Sequence, residues 1–383
     1  MTRICKALAF SAVMLLCSCV FAQTSAASSK LSGFVTRSGA RLMLNGKPFR
    51  FAGGNLDNVN LASNRYSLIC SITGRIDAFY PSHWAIDDAF ETLHKMGGTV
   101  ARVYSAGTQG SPLAIEPQLG VFNEAALRQL DYVVKSAGEH GIRLDLVLVS
   151  QQDYYVGGRD VFSHWRGNKS FYDDQVVSDF EQFIHKVVTR VNSITGVAYK
   201  DDPAIFAWET DNEIGDSPVW WENRICSYIK SLDPNHLVIN GNVLVASAAI
   251  PERLAEKDAD IYVQHYYEHW KNPWNLATDA AKVTKAGKAF IVEEFGWDRS
   301  NTTVANLEKH LSEVEQNPGV AGDMFWALRA HIAPGKLFPV PGEGGEWWAL
   351  YYDGLDTGEN SAADMHQRAL ILQAHIRRMT GVR

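Results

Sequence analysis

A chain of 383 residues with 46% hydrophobic and 21% charged residues has enough apolar side chains for a large core and too few charges for a disordered protein. Its formal charge of −7 at pH 7 argues against a phosphate backbone as ligand, so nucleic acid is not an expected partner. After residue 22 no segment is apolar enough to cross a membrane.

The first 22 residues have the pattern of a secretory signal peptide. Arg3 and Lys6 precede an apolar run over residues 7–16, and residues 20–22 offer the positions that signal peptidase reads. Cleavage after Ala22 is the preferred interpretation, and a lipoprotein acylated at Cys19 is the second. A secreted or periplasmic protein is therefore expected, and loss of the two basic residues takes the formal charge from −7 to −9.

A short linker and a hairpin are predicted to follow the signal peptide. Residues 23–32 are mostly small and form the linker, and the catalytic domain is predicted over residues 33–383. Asn45-Gly46 indicates a type I′ turn, because both residues tolerate positive φ. The hairpin around this turn is expected to close the floor of the domain.

Eight short apolar segments then alternate with amphipathic helical segments. Several are nearly continuous apolar runs, which is typical of strands covered on both faces. The alternation predicts an α/β domain, a closed parallel (β/α)8 TIM barrel. A doubly wound open sheet is the alternative, but no glycine-rich phosphate loop follows any strand. The predicted strands are 49–53, 99–103, 143–149, 205–209, 237–239, 260–264, 289–294 and 322–326. The predicted helices are 124–140, 171–192, 218–232, 302–316 and 362–379.

Two cysteines remain after removal of the signal peptide, Cys70 and Cys226. An exported protein is able to join such a pair in a disulfide. However, Cys70 is predicted in a loop after the first strand and Cys226 in a helix well across the barrel. Two free buried thiols are therefore favoured over a disulfide.

Two predicted strands end in carboxylates at the edge where barrel enzymes place their chemistry. The fourth strand leads into Asn212-Glu213, and the seventh ends in Glu293-Glu294. Glycoside cleavage requires one protonated carboxyl group and one ionised carboxylate. A single glutamate at a strand end is usually ion-paired or solvated. Two of them, with Asn, His, Tyr and Trp at other strand ends, favour a glycosidase.

These motifs together resemble glycoside hydrolase family 5, in the clan of barrel glycosidases with the acid on strand four and the nucleophile on strand seven. The resemblance lies in the motifs Trp208-Glu209-x-x-Asn212-Glu213 and Glu293-Glu294-Phe295-Gly296. In addition, residues 189–205 and 228–238 resemble stretches of the β-mannanase branch of this family. The resemblance covers roughly residues 35–330. It implies a retaining mannan endo-1,4-β-mannosidase that acts on mannan, glucomannan or galactomannan.

The resemblance also implies the central roles. Glu213 is implied as the acid/base and Glu294 as the nucleophile, and Asn212 resembles the residue that binds the sugar 2-hydroxyl. Arg102 resembles the arginine that keeps the nucleophile ionised. The pKa of Glu294 is therefore expected to be lowered, and the pKa of Glu213 to be raised so that it holds a proton.

Three further residues take roles from the same resemblance. His265 and Tyr267 resemble the strand-six pair that orients the acid/base and touches the nucleophile. Trp326 resembles the platform under the sugar that is cleaved. Glu293 points to the opposite face from its neighbour Glu294 and is expected to be structural. Glu209 and Asp211 are expected to be structural as well.

Departures from the branch pattern leave the choice between endo and exo attack open. Asp211 stands where a small or apolar residue is usual, and Ile214-Gly215 follows the pair where proline is common. An exo-β-mannosidase or an endo-β-1,4-glucanase of the same clan is therefore the first alternative. An inactive carbohydrate-binding barrel is the alternative from another class.

The aromatic content also indicates a sugar ligand, because flat rings stack on the apolar faces of pyranoses. Among eleven tryptophans, Trp274 and Trp347 are expected in the substrate cleft ahead of Trp84. The loop 152–158 resembles a substrate-lining loop of the family. A β-linked polysaccharide or oligosaccharide is the expected partner, and the protein is expected to be a monomer.

Other chemistries fit the sequence poorly. His265 and His269 are four residues apart but lack the glutamate of a zinc-protease helix, so no metal site is expected. Residues 353–356 are interpreted as an exposed turn rather than a calcium loop. No nucleophile elbow of an esterase, phosphate loop or dinucleotide fingerprint is present, and no cofactor is expected.

Overall fold

Eight parallel strands close into a barrel, which confirms the predicted (β/α)8 TIM architecture. The computed structural model describes residues 29–63, 69–70, 75–76, 78–105, 112–152, 158–243, 250–267, 275–296, 303–337, 350–351 and 362–382. The barrel strands, numbered β1 to β8, are Phe51–Asn55, Val100–Tyr104, Arg143–Val147, Ile205–Glu209, Leu237–Asn240, Ile261–Tyr266, Ala289–Phe295 and Val320–Phe325. Each strand lies where an apolar segment predicts it.

Helices surround the barrel in the described part of the chain. They are numbered α1 to α9: His83–Met96, Glu124–His140, Arg159–Trp165, Asp174–Val188, Val219–Leu232, Ile250–Leu254, Leu276–Lys285, Val304–Gln316 and Ala362–Thr380. Helix α2 has its predicted bounds, because Asn123 accepts from the backbone N–H of Ala125 and Gly141 follows the last turn with φ 75°. The prediction omits α1, α3, α6 and α7. Helices α3 and α6 are too short for a distinct helical period.

The N-terminal hairpin closes the floor of the barrel. Its turn residues Asn45 and Gly46 have φ values of 50° and 76°, as a type I′ turn requires. Val35 and Leu42 of this sheet pack into an apolar cluster with barrel residues such as Phe206. Since the amino-terminal end of the barrel is covered, the carboxyl ends of the strands form the open face.

Several sequence predictions fall wholly or partly outside the described residues. Cys226 is buried in α5 with a free thiol, as predicted, and the side chain of Cys70 lies outside the described part of the chain. None of the described helices combines the length and the apolar character needed to cross a membrane. Four predicted segments lie outside the described residues: the signal peptide with Cys19, residues 23–28 of the linker, residues 153–157 of the predicted substrate loop and the predicted turn 353–356. His269, Trp274 and Trp347 lie outside them as well.

Candidate active site

Arg102, on β2, is the centre of a hydrogen-bond network at the carboxyl ends of the strands. Its buried guanidinium binds Glu209 twice, from Nε to Oε2 at 2.7 Å and from Nη2 to Oε1 at 2.6 Å. Nη1 donates to Oε1 of Glu294 at 2.5 Å and to Oδ1 of Asn55 at 3.1 Å. Nη2 also donates to Oδ1 of Asn212 at 2.8 Å. One side chain therefore connects groups from β1, β2, β7 and the end of β4.

Glu213 lies in a strained turn that follows β4. Its φ of 59° is in the left-handed region, which residues other than glycine rarely adopt. Oδ1 of Asp211 accepts from the backbone N–H of Ile214 at 3.1 Å, and the N–H of Glu213 donates to the carbonyl of Gly241 at 3.3 Å. These bonds hold a conformation that costs about 1–3 kcal/mol. Asp211 is therefore structural, as expected, and it shapes the turn that carries Glu213.

A close packing of strands supports the same turn. A Cβ added to Gly241 would lie 1.5 Å from the carbonyl oxygen of Asp211, so only glycine fits at this position. The hydroxyl of Thr210 donates to Oδ2 of Asp211 at 2.9 Å and accepts from the N–H of Gly241 at 3.2 Å. The end of β4 is thereby fixed against the segment that follows β5.

Glu213 and Glu294 face each other through a shared histidine. Nδ1 of His265 lies 2.7 Å from Oε1 of Glu213 and 3.4 Å from Oε2 of Glu294. Tyr267 donates to Oε2 of Glu294 at 2.6 Å, and Gln152 donates to Oε2 of Glu213 at 2.8 Å. One atom from each of Glu213, His265 and Glu294 lies within 4.8 Å of the other two. The two carboxyl groups are therefore separated by a narrow gap.

Comparison with known proteins identifies the family. A family model described as GH family 5 beta-mannosidase-like matches residues 166–281. The chain is 31% identical over 353 residues to mannan endo-1,4-beta-mannosidase 5 of Solanum lycopersicum, a match that covers 78% of this chain and 81% of that protein. The chain belongs to glycoside hydrolase family 5.

Two other similarities agree with this membership. Putative mannan endo-1,4-beta-mannosidase 4 of Arabidopsis thaliana is 33% identical over 237 residues, or 58% of this chain; the chain spans about half of that relative, 54% of its length. A solved structure of the endo-1,4-beta-mannanase from Rhizomucor miehei is 25% identical with a TM-score of 0.69. That similarity covers 91% of this chain and 100% of the solved one. The predicted family is confirmed.

The family 5 chain brings the two predicted catalytic residues and the five residues predicted from the family resemblance to bind or orient around them to one end of the barrel. Hydrogen bonds connect six of them, namely Arg102, Asn212, Glu213, His265, Tyr267 and Glu294. Trp326 follows β8, where its N–H donates to the carbonyl of Phe295 at 2.7 Å, and its ring makes an edge contact with Tyr104. The geometry is as expected, and the catalytic role of each residue stays a prediction.

Sequence reasoning misses two residues of this family 5 site. Asn55 ends β1, accepts from Arg102, and donates to the carbonyl of Glu293 at 3.1 Å. Gln152 contacts both members of the Asn-Glu pair, because its Oε1 also accepts from Nδ2 of Asn212 at 3.0 Å. Its position at the start of the predicted substrate loop is the signal that identifies it. The polar strand-end position of Asn55 is the corresponding signal.

The protonation pattern of the family 5 site differs from the sequence expectation. Burial raises the pKa of Glu294 by more than His265 and Arg102 lower it, so its pKa lies above the ordinary value. Burial also raises the pKa of Glu213, but His265 and Gln152 lower it further, and the net shift is downward. Both expected directions are therefore wrong.

The histidine between the two carboxyl groups explains this reversal. Burial lowers the pKa of His265, but the negative charge of Glu294 and the contacts with Glu213 and Glu293 raise it to about 10. The imidazole is then a cation at neutral pH. In the free site the proton expected on Glu213 resides on the neighbouring nitrogen, 2.7 Å from Oε1.

Arg102→Lys is expected to reduce kcat/KM by about 10²–10³-fold. One ammonium group cannot replace the planar donors that bind Glu209, Asn212 and Glu294, and a broken buried ion pair costs about 3–5 kcal/mol. Steady-state kinetics with a soluble mannan measures the loss. Arg166→Lys is the matched control, since Arg166 binds Asp179 through two bonds outside the site. Wild-type kinetics in Arg102→Lys would contradict the central role of this side chain.

Proposed function

We propose that the protein is a secreted retaining β-glycosidase that hydrolyses internal β-1,4-mannosidic bonds in mannan, glucomannan or galactomannan. The proposal rests on the narrow gap between Glu213 and Glu294. One carboxyl oxygen of Glu213 lies within 4.8 Å of one carboxyl oxygen of Glu294. Retention requires carboxyl groups about 5–5.5 Å apart, whereas inversion leaves about 6.5–9.5 Å for a water molecule. The gap favours retention.

The contacts of Glu294 suit the role of nucleophile. Arg102 binds its Oε1, and Tyr267 binds its Oε2, so the carboxylate is held in one orientation. A fixed orientation lowers the barrier to attack on the anomeric carbon. In the first half of the reaction Glu294 forms a bond to that carbon as the bond to the leaving oxygen breaks, and Glu213 protonates the leaving oxygen. In the second half water displaces Glu294.

The loss of charge on Glu294 changes the behaviour of Glu213. In the glycosyl-enzyme Glu294 carries no negative charge, so the proton affinity of the neighbouring His265 and Glu213 falls. Glu213 is then able to accept a proton from the attacking water. A single carboxyl group therefore serves as acid in the first half and as base in the second.

Support for mannan as the substrate comes from the relatives rather than from the charges of the site. The Solanum lycopersicum relative is named a mannan endo-1,4-beta-mannosidase, and it is 31% identical over most of this chain. Mannose and glucose differ in the orientation of one hydroxyl group. The contacts of Arg102, Glu213 and Glu294 do not distinguish the two orientations. The substrate therefore has to be tested directly.

Hydrolysis of mannohexaose is expected to yield oligosaccharides from internal cleavage, and the first product detected by NMR is expected to be the β-anomer. Release of single mannose units from one end would instead indicate an exo-β-mannosidase. Cleavage of cellohexaose in place of mannohexaose would indicate an endoglucanase. Binding without any release of reducing ends would indicate an inactive carbohydrate-binding barrel, and an initial α-anomer would exclude retention.

Glu294→Ala is expected to abolish turnover and leave the fold intact, because it removes the carboxylate that Arg102 and Tyr267 orient for attack. Glu213→Ala is expected to lower kcat by about 10²–10⁴-fold, with a smaller loss for an aryl mannoside that needs no proton on its leaving group. Circular dichroism and steady-state kinetics measure both effects. Glu308→Ala, an exposed glutamate on α8, is the control. Normal turnover in Glu294→Ala would remove the assignment.

Export is the remaining part of the proposal, and the support for it is the amino-terminal sequence. Arg3 and Lys6 before an apolar run, with Ala22 at the preferred cleavage site, are typical of a secretory signal. Amino-terminal sequencing of the protein recovered from the periplasm or medium is expected to begin at Gln23. A lipidated Cys19 would support the alternative lipoprotein, and an uncleaved cytoplasmic chain would contradict export.

A further inference from the structure

A second group of carboxyl groups lies inside the barrel next to the candidate active site. Asp145 on β3, Glu209 on β4 and Glu293 on β7 are fully buried, and one oxygen of each lies within 4.8 Å of the other two. Within the described part of the chain, both carboxyl oxygens of Asp145 and Oε1 of Glu293 have no hydrogen-bond partner. Three negative charges this close in a buried place repel one another strongly, so at least one group holds a proton.

The contacts of each group decide where that proton lies. Both oxygens of Glu209 accept from Arg102, at 2.7 and 2.6 Å. Oε2 of Glu293 lies 3.0 Å from Nε2 of His265 and 3.5 Å from Nη2 of Arg102. Among the described residues, no cation lies within ion-pair distance of Asp145. Burial and the neighbouring charges of Glu209 and Glu293 raise the pKa of Asp145 well above its ordinary value, although Arg102 opposes this shift. Burial also raises the pKa of Glu209, to about 8, against the lowering effect of Arg102. Because Arg102 donates to both oxygens of Glu209 and to neither oxygen of Asp145, we assign the proton to Asp145.

A metal ion is a poorer explanation of the same cluster. Both oxygens of Glu209 are already bound by the guanidinium of Arg102, and a metal ion there would lie beside this positive charge. A proton on Asp145 lowers the buried negative charge without that repulsion.

His265 connects the interior group to the candidate acid. Its Nδ1 lies 2.7 Å from Glu213 and its Nε2 lies 3.0 Å from Glu293, so a carboxylate contacts each nitrogen of one imidazole. The other charged groups that face this histidine are Glu294, with Oε2 at 3.4 Å from Nδ1, and Arg102 beyond Glu293. A negative charge at Nε2 stabilises the doubly protonated ring.

We propose that Glu293 is a positioning residue that keeps His265 protonated and thereby supplies the proton that Glu213 gives to the leaving oxygen. Asp145, as the neutral acid, lowers the negative charge that is buried around Glu293. This inference rests on the proposed glycosidase function. It gives a role in proton transfer to Glu293, whose position in the strand predicts only a structural role.

Over one turnover, every proton that His265 and Glu213 give up is returned to them. The proton on Nδ1 of His265 passes to Oε1 of Glu213 and from Glu213 to the glycosidic oxygen as that C–O bond breaks and Glu294 bonds to the sugar. The neutral imidazole keeps its Nε2–H toward Glu293. Water then attacks the sugar, its proton passes to Glu213 and on to Nδ1, and Glu294 leaves as the carboxylate.

Glu293→Gln tests the proposal through the pH dependence of kcat/KM. The amide keeps the shape and removes the negative charge, so the shared proton is held less tightly and the basic limb is expected to move to lower pH by about 1–3 units. Activity at the new optimum is expected to remain, which separates this test from the test of glycosidase function. A basic limb at the wild-type position would overturn the proposal.

Asp145→Asn provides the matched comparison within the same cluster. Its amide is neutral like the proposed acid, so the basic limb is expected to stay at the wild-type position. A shift like that of Glu293→Gln would show that Asp145 is ionised and would overturn the assignment. Infrared difference spectroscopy gives a readout without substrate: one carbonyl band of a buried protonated carboxyl group is expected to be lost from the wild-type spectrum in Asp145→Asn. A stoichiometric metal ion in the purified protein would also contradict the proposal.

A second carboxylate–histidine–carboxylate chain outside the barrel provides the control. Oδ2 of Asp323 lies 2.8 Å from Nε2 of His375, whose Nδ1 lies 2.8 Å from Glu315, and this chain joins β8, α8 and α9. Asp323→Asn is expected to lower the melting temperature and to leave the pH profile unchanged. An equal shift of the basic limb in this variant would attribute the effect to altered packing and overturn the specific role of Glu293.

Discussion

The buried positive charge of Arg102 is the constraint on which the rest of the site depends. Its guanidinium contacts Glu209, Glu294, Asn55 and Asn212, and each contact reaches a different point at the ends of the strands. Buried ion pairs add little net stability, because desolvation offsets their attraction. The network therefore acts mainly on geometry: it sets the positions of two carboxylates that would otherwise repel each other.

The two ends of the barrel have different roles. The amino-terminal end is a covered apolar floor, and the carboxyl end carries the strained turn and the polar site. Apolar side chains such as Val35, Leu42 and Phe206 fill the lower part, where their burial stabilises the fold. Polar side chains occupy the upper part, where Asp145 and Glu293 have oxygens that accept no hydrogen bond from any described residue. The stable lower part maintains an arrangement of charges that would not hold together by itself.

Much of the fold and the central site residues could be predicted from the sequence. Each barrel strand contains several apolar residues, and the Asn45-Gly46 turn and the caps of α2 have local signals that depend on few neighbours. The protonation pattern could not be predicted in this way. The pKa of Glu213 depends on the distance to His265, which is more than fifty residues away along the chain. Pairings between neighbouring barrel strands, such as Arg102 with Asn55, likewise depend on the register between the strands.

The left-handed backbone of Glu213 has a consequence for how this fold changes over many generations. The position is held in a conformation that glycine or asparagine adopts at lower free energy, so replacement of the glutamate by either would relieve strain while removing the carboxyl group. Selection for thermal robustness alone would therefore favour drift toward barrels that still bind sugar and no longer cut it. A glutamate at this turn therefore costs stability, and what the chain gains in return is a carboxyl group placed beside Glu294.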